Sequence, residues 1–587
     1  MLPIIKVSGP LVTAQIIDAH EKPKILETVF VGNNRLLGEI ISIQGDECKI
    51  QVYEETAGLE VGQNVELKSE LLSVELGPGL LGNIFDGIQR PLSEIDKISP
   101  IFIQPGLHLP NLDQNKKWKF EAVIKLGETV NPGQRIGFVQ ETQNIKHWIL
   151  APSDIPENST ITEIKPGTFT LKDVVCKIKT ETGEVEVTMS HKWPVKIARP
   201  ITSKLTPTRM FKTGQRVIDG MFPILLGAPV STPGPFGAGK TFTQQQLAKW
   251  GDAQIVVYVG CGERGNEMTE MVKLFPELTD PRSGRPLMER TVLIANTSNM
   301  PIAAREASIY TGMTIAEYYR DMGYDVVLMA DSTSRWAESM REISARLGEM
   351  PADEGYPAYL SSRISEFYER AGVVSTLSKE VGSVTAIGTV SPAGGDFSEP
   401  VTQASLKSTQ VFLALDEKLA AKRHYPSINW QTSYSLYEDA YTRIMEETES
   451  GKKLVTNRIL AKKILSQEDN LLEMVKLVGF DGLNNNDRLT MEIAKSLRED
   501  FLQQNGFDPA DTYCSFEKLQ LLMDTIIEIY NRVSVLIENQ PDNENLVSSI
   551  FDSRTKYLLS QMKYQTDNKE IITIQEEMYN KIKELSA

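Results

Sequence analysis

Gly234-Pro235-Phe236-Gly237-Ala238-Gly239-Lys240-Thr241 is the stretch that decides the reading of this chain. It matches the pattern G-x-x-x-x-G-K-[ST], in which a glycine-rich turn bends until successive backbone N–H groups converge on phosphate oxygens. Phe242 to Trp250 reads as a helix that starts at the same spot and adds its positive dipole end to the cradle. Lys240 is then placed to reach the β- and γ-phosphates of a nucleoside triphosphate. The Thr241 hydroxyl is placed to complete the shell of a Mg2+ ion that keeps several waters. Each charge-assisted bond of this kind contributes roughly 1.5 to 3 kcal/mol, which in sum supports micromolar binding. The bland alternative is a glycine-rich turn without function. The strand-like run Ile255 to Val259 after the helix argues against it, whereas the run before the loop, Leu225 to Val230, makes a poor strand.

Working outward from the loop, apolar runs of strand length alternate with helix-length segments between about 195 and 435: Ile255 to Val259, Thr291 to Ala295, Val326 to Ala330 and Val384 to Val390. Such alternation implies a mainly parallel sheet covered by helices on both faces. Two runs lead into carboxylates. Glu263, in Val259-Gly-Cys-Gly-Glu263-Arg264-Gly-Asn-Glu267, falls at the C-terminal sheet edge where such folds bind ligands. It is the candidate for polarising an attacking water, with Arg264 as a phosphate or structural cation and Glu267 as a solvated neighbour. Asp331 ends the run Tyr324-Asp-Val-Val-Leu-Met-Ala330 in the Walker-B manner, placing it to hold a Mg2+ shell through water. Asp331-Ser-Thr-Ser334 could equally cap the helix carrying Trp336, Met340, Ile343 and Leu347.

Residues 1–72 hold short β-branched runs such as Leu37 to Ile43 and Cys48 to Tyr53, which predict a small β-barrel or sandwich, taken here as a barrel. Residues 73–109 read as a connector punctuated by glycine and proline, with little regular structure. Residues 110–194 return to alternating strands, including Trp118 to Val123, Thr160 to Ile164 and Glu184 to Met189, and form a β-rich insertion. The P-loop α/β domain spans 195–435. A helical C-terminal domain spans 436–587, with Leu471, Leu472, Val475 and Val478 expected on one face.

The composition narrows the function classes. The chain has 587 residues, 41% hydrophobic and 24% charged, the balance of a folded multidomain protein. Lys and Arg (62) against Asp and Glu (78) give −16, so a phosphate backbone would bind against the overall field and nucleic acid is not the expected partner. Cys48, Cys176, Cys261 and Cys514 stand far apart, as do His20, His108, His147, His191 and His424, so neither a disulfide framework nor a zinc site is signalled. No apolar run approaches the roughly 20 residues of a membrane span, and the start carries no signal-peptide pattern.

Taken together, Gly234 to Thr241, Gly262 to Met268, Asn296 to Ser308, Asp331 to Glu338, Ser391 to Asp396 and Pro426 to Trp430 resemble the catalytic A subunit of V-type and archaeal A-type rotary ATPases. The resemblance covers nearly the whole chain. It implies a ring of three A and three noncatalytic B subunits around a central shaft, with peripheral stalks. ATP and ADP with Mg2+ sit at A–B interfaces, and hydrolysis or synthesis is coupled to H+ or Na+ transport by a membrane sector. Such a complex lies peripherally on the cytoplasmic face. The resemblance implies that a finger arginine arrives from B; Arg335 and Arg363 are alternatives within the chain, each readable as a salt-bridge residue.

The family's base pocket uses segments that read here His424-Tyr425-Pro-Ser-Ile-Asn-Trp430 and Gln503-Gln504-Asn-Gly506-Phe507-Asp508. Tyr425 replaces a phenylalanine and can still stack on a base. Gly506 replaces an alanine, which predicts a looser pocket. Ala238 stands where eukaryotic members carry a redox-linked cysteine, implying a bacterial or archaeal member without that switch. Two rivals are a hexameric RNA translocase of the transcription-terminator type and a noncatalytic nucleotide-binding ring subunit. The acidic composition opposes the first, and the presence of both Glu263 and Asp331 opposes the second.

Overall fold

The computed structural model describes residues 2–17, 22–479 and 482–586; His20 lies outside them. The chain divides into two compact units. The first comprises residues 1–207, 226–231 and 253–409, and the second comprises 208–225, 232–252 and 410–587.

The first unit begins with a closed six-stranded barrel ordered Leu2–Ser8, Leu11–Gln15, Glu47–Val52, Leu36–Gln44, Glu27–Val31 and Asn64–Leu71. Alternate residues such as Leu2, Ile4, Val12, Ala14, Val29 and Val31 point inward and are essentially unexposed, as the period of two along a strand requires. The β-rich insertion consists of two four-stranded sheets. Its core joins that of the central sheet through residues such as Trp118, Phe120, Ile136, Ile161 and Ile178. The expected connector is more regular than its sequence suggests. Ser73–Leu76 pairs with His191–Pro194, and Ile84–Phe85 adds to the central sheet beside Thr291–Thr297. Strands of two and four residues leave too little periodicity to detect, which is why they escape a sequence reading.

The parallel strands of the central sheet run Val381–Val390, Asp325–Asp331, Ile255–Glu263, Thr291–Thr297, Ile84–Phe85. The run before the phosphate loop does form a strand, Pro229–Pro233, shifted by a few residues from the stretch that read poorly. Just before it, the Ala228 carbonyl accepts from Ala386 N (3.1 Å). Helix Ile302–Asp321 is buried along almost its whole length against the strands. Its Gly312 allows that closeness, since a Cβ there would meet Val259 Cγ2 at 2.3 Å.

The second unit carries the phosphate loop, the helix Lys240–Trp250 and a run of helices from Glu438 to Ser586. Several of these helices start on side-chain caps: Thr448 accepts from Gly451 N, Asn484 from Asp487 N, Ser515 from Lys518 N and Asp552 from Thr555 N. Helix Phe516–Asn539 buries Leu519, Leu522, Met523, Ile526, Ile529, Val533 and Leu536, the 3–4 spacing of one helical face. The stripe expected at 471–478 is only half covered. Leu471 is buried, Val475 half-buried and Leu472 40% exposed, because adjacent residues point about 100° apart on a helix and packing covers only one of those directions; the Val478 side chain lies outside the described residues. Among the described residues no helix is long and apolar enough to cross a membrane.

Candidate functional site

In the second unit, Gly237 and Gly239 both adopt φ of 81°, the left-handed region where a Cβ is penalised, and this folds the loop tightly before helix Lys240–Trp250 begins. Lys240 folds over the loop: its Nζ donates to the carbonyls of Gly234 (2.7 Å) and Pro235 (3.1 Å) and lies 5.1 Å from the Phe236 ring centroid. Ala238 is buried, and its carbonyl accepts from the Ser427 hydroxyl. The loop is thus pinned from the Tyr425 segment, with Thr241 in the first turn of the helix.

The residues proposed for a base gather beside it in a cavity of about 780 Å³ lined by Gly239, Phe242, Tyr425, Gly506, Phe507 and their neighbours. The Phe242 ring stands 6.2 Å from Tyr425 and 5.9 Å from Phe507, and Phe507 is 89% exposed, an aromatic face open to a partner. Gly506 does not loosen this pocket: a Cβ there would lie 2.4 Å from Phe242 Cζ, so the phenyl ring fills the space of the missing methyl.

Gln504 lines this cavity and also braces it. Its side chain is buried, accepting from Arg216 N (2.5 Å) and donating to Gly214 O (3.1 Å) and Asp511 O (3.0 Å). The amide is spent inside the protein, and the residue's further contribution is its backbone N–H on Tyr425 O (2.7 Å). Arg216, absent from the sequence reading, holds the whole segment. It is unexposed and donates to Asp511 Oδ1 (2.7 Å), Gln503 O (2.7 Å) and Phe501 O. Lys563 and Tyr564 also line the cavity, and nothing in the sequence near them signals it.

In the first unit, Glu263 ends its strand half-buried. Burial, then the negative charges of Asp331 and Glu267, push its carboxyl up to about 8 against the opposing pull of Arg335. Glu267 is therefore not a solvated bystander: it is half-buried and shares a hydrogen bond with Glu263. Arg264 is exposed at the start of helix Gly265–Glu277, and the guanidinium felt by Glu263 belongs to Arg335. Arg335 pairs with Glu338 (2.7 Å) and Arg363 with Glu366 (3.0 Å), the salt-bridge roles open to them from sequence.

Asp331 is 2% exposed and does not cap the helix that follows. Ser332 occupies the N-cap position of Thr333–Leu347, without a side-chain cap bond. The Asp331 carboxylate instead accepts from Thr389 Oγ1 on Oδ1 (2.6 Å) and from the Tyr258 hydroxyl on Oδ2 (3.0 Å). The N-cap position belongs to Ser332, and the Asp331 oxygens accept from the strands on either side. An interruption of the apolar run 255–259 by one tyrosine was the only sequence signal for this arrangement.

Comparisons with known proteins agree along the chain. Family models match in order: the ATP synthase alpha/beta family beta-barrel domain (residues 4–67), the ATP synthase alpha/beta subunit barrel-sandwich domain (109–196), the ATP synthase alpha/beta family nucleotide-binding domain (214–435) and the C-terminal domain of V and A type ATP synthase (430–545). The chain is 56% identical over 513 residues to the first of the A subunits named for the A-type ATP synthase of Methanospirillum hungatei JF-1, covering 87% of this chain and 86% of the relative. It is 51% identical over 586 residues to the V-type ATP synthase alpha chain of Clostridium novyi strain NT, covering 100% and 98%. Among solved structures, the assembled ATPase EscN of the enteropathogenic E. coli type III secretion system matches with a TM-score of 0.65 at 21% identity. It covers 90% of this chain and 100% of that one, a likeness of fold.

Proposed function

The chain belongs to the family of A-type and V-type ATP synthase A subunits, and from that premise we propose how its residues bind and cleave ATP. It is the catalytic subunit of an ion-translocating ATP synthase, an enzyme that hydrolyses ATP within a multisubunit complex. Relatives at 51% to 56% identity carry the names of ATP synthase subunits, which leaves the RNA translocase and the noncatalytic ring subunit without support.

In our reading, the amides of residues 234–241 wrap the triphosphate tail. Lys240 exchanges its hold on the Gly234 and Pro235 carbonyls for the β- and γ-phosphates. Tyr425 and Phe507 sandwich the base, with Phe242 backing both rings. Glu263 orients the attacking water and takes its proton, a task suited to a carboxyl held well above its ordinary range. Arg264, next to Glu263 at the end of its strand, is the cation for the separating phosphate. The observation that carries the reading is the loop itself, folded by two left-handed glycines directly into a helix N-terminus.

The donor chemistry suits Mg2+. Asp331 offers hard carboxylate oxygens, each able to accept more than one hydrogen bond, so bonds from Thr389 and Tyr258 are compatible with receiving a metal-bound water. Thr241 offers a hydroxyl in the first helical turn. The ion, when bound, neutralises charge on the β- and γ-phosphate oxygens.

The partners follow from the family reading. Three copies alternate with three B subunits, which supply the finger arginine. The ring turns a central shaft, is held by peripheral stalks, and drives H+ or Na+ through a membrane sector from the cytoplasmic face. Glu263→Gln in the assembled complex tests the chemistry. ATP binding is expected to persist while phosphate release falls by about two orders of magnitude or more. Wild-type turnover in that variant would remove Glu263 from the mechanism.

A further inference from the structure

Asp331 poses a physical problem. A carboxylate that is 2% exposed is costly to keep ionised, yet its proposed role requires that charge in one fixed orientation. The sheet register solves it. Strand Ile255–Glu263 lies beside Asp325–Asp331 with Gly260 opposite Asp331, so Tyr258, two residues earlier, shares the face of Asp331 and reaches it diagonally. On the other side Ala330 is opposite Gly388, which puts Thr389 level with Asp331. The hydroxyls therefore arrive from opposite strands, one on each carboxylate oxygen.

Packing alone does not explain the two hydroxyls. Tyr258 sits in a run whose other members, Ile255, Val256, Val257 and Val259, are apolar, and its ring packs on Phe275 (5.7 Å) as a phenylalanine's would. Thr389 is followed by Val390 in an equally buried strand. Burying a hydroxyl is unfavourable unless it is hydrogen-bonded, and here the short bond of each hydroxyl ends on the same carboxylate, the Ala330 carbonyl standing farther from Thr389 Oγ1 at 3.4 Å.

We infer that Tyr258 and Thr389 are positioning residues that clamp the Asp331 carboxylate from both sides and thereby set the affinity of the nucleotide site for its divalent cation. This rests on the proposed role of Asp331. The clamp fixes the direction in which Asp331 presents its lone pairs to metal-bound water, so losing it weakens metal capture while leaving the phosphate loop intact.

The test uses the assembled complex carrying Tyr258→Phe, Thr389→Val, both together, Thr389→Ser, or Asp331→Asn. Three quantities are read: the free Mg2+ giving half-maximal hydrolysis at saturating ATP, Mn2+ binding to the ADP-loaded complex by electron paramagnetic resonance, and ADP affinity in EDTA. Partners that orient a metal's ligands typically change metal affinity by about 10- to 100-fold. Each single loss of a hydroxyl is therefore expected to raise the Mg2+ requirement and weaken Mn2+ binding about tenfold, and the double variant more. Metal-free ADP affinity should stay within about twofold, and Thr389→Ser should behave as wild type. If the double variant keeps the wild-type metal requirement while Asp331→Asn loses it, the clamp is wrong and the role of Asp331 stands. If Asp331→Asn also keeps it, the reading of Asp331 falls and takes the clamp with it. Equal losses in Thr389→Ser and Thr389→Val, or a parallel loss of ADP affinity in EDTA, would likewise overturn the proposal, because the hydroxyl would not be the operative group.

Discussion

Replacing Arg216 with methionine is expected to dismantle the base pocket from behind. The side chain is unexposed and spends its guanidinium on the Asp511 carboxylate and the carbonyls of Gln503 and Phe501. Methionine preserves much of the volume but leaves Asp511, also unexposed, with a negative charge whose cationic partner has gone; the Asn505 N–H remains on Asp511 Oδ2 (2.7 Å). Removing one member of a buried pair typically costs about 3 to 5 kcal/mol, most of it the stranded charge. That loss falls on the 501–511 segment, which carries Phe507. Stacking of a base on one aromatic ring contributes roughly 1 to 3 kcal/mol, so disordering Phe507 should weaken ATP binding by roughly 5- to 150-fold. Hydrogen exchange across 501–511 should accelerate, KM should rise and kcat should change little, since no group near the scissile bond is touched. Arg216→Met with Asp511→Leu should recover part of the stability by removing the stranded charge. Unchanged exchange and unchanged KM in Arg216→Met would refute the strut.

Further expectations follow from the same geometry. Phe507→Ala should raise KM severalfold without lowering thermal stability, because the ring is 89% exposed; a stability loss with normal KM would make it a packing residue. Gly506→Ala must displace Phe242 from 2.4 Å, at a cost of about 1 to 3 kcal/mol, and should weaken nucleotide binding in a filter or calorimetric assay. Glu263 works ionised, and its raised carboxyl means that activity is lost as pH falls through the elevated value. The acid limb of kcat/KM should therefore lie above the ordinary 4.5, toward about 8, and should move down as free Mg2+ rises, since a cation offsets the charge of Asp331. A limb fixed at or below 4.5 would contradict the environment described for Glu263.

The sequence made the architecture readable wherever a period or a punctuation mark existed. The strands around 255–259, 291–295, 326–330 and 384–390 declared themselves as apolar runs. Reading failed where structure depends on distant partners. Ile84–Phe85 is a strand only because Thr291–Thr297 lies beside it. Asp331 read as a Walker-B carboxylate with a helix cap as the alternative, and the hydroxyls that hold it come from residues 258 and 389, too distant in sequence to be foreseen. Gln504 reads as a pocket residue and does line the cavity, but the bonds of its amide to Arg216, Gly214 and Asp511 have no local sequence signal. Gly506 looked like a defect until Phe242 was seen to occupy the space.

The most direct test of the account is ATP binding by the complex with Lys240 replaced by alanine and, separately, by arginine. A charge-assisted contact to phosphate contributes about 1.5 to 3 kcal/mol, so Lys240→Ala should weaken ATP roughly 10- to 150-fold while affinity for adenosine, which lacks the phosphates, is unchanged. Equal affinity of wild type and Lys240→Ala for ATP would contradict a triphosphate held in the 234–241 turn.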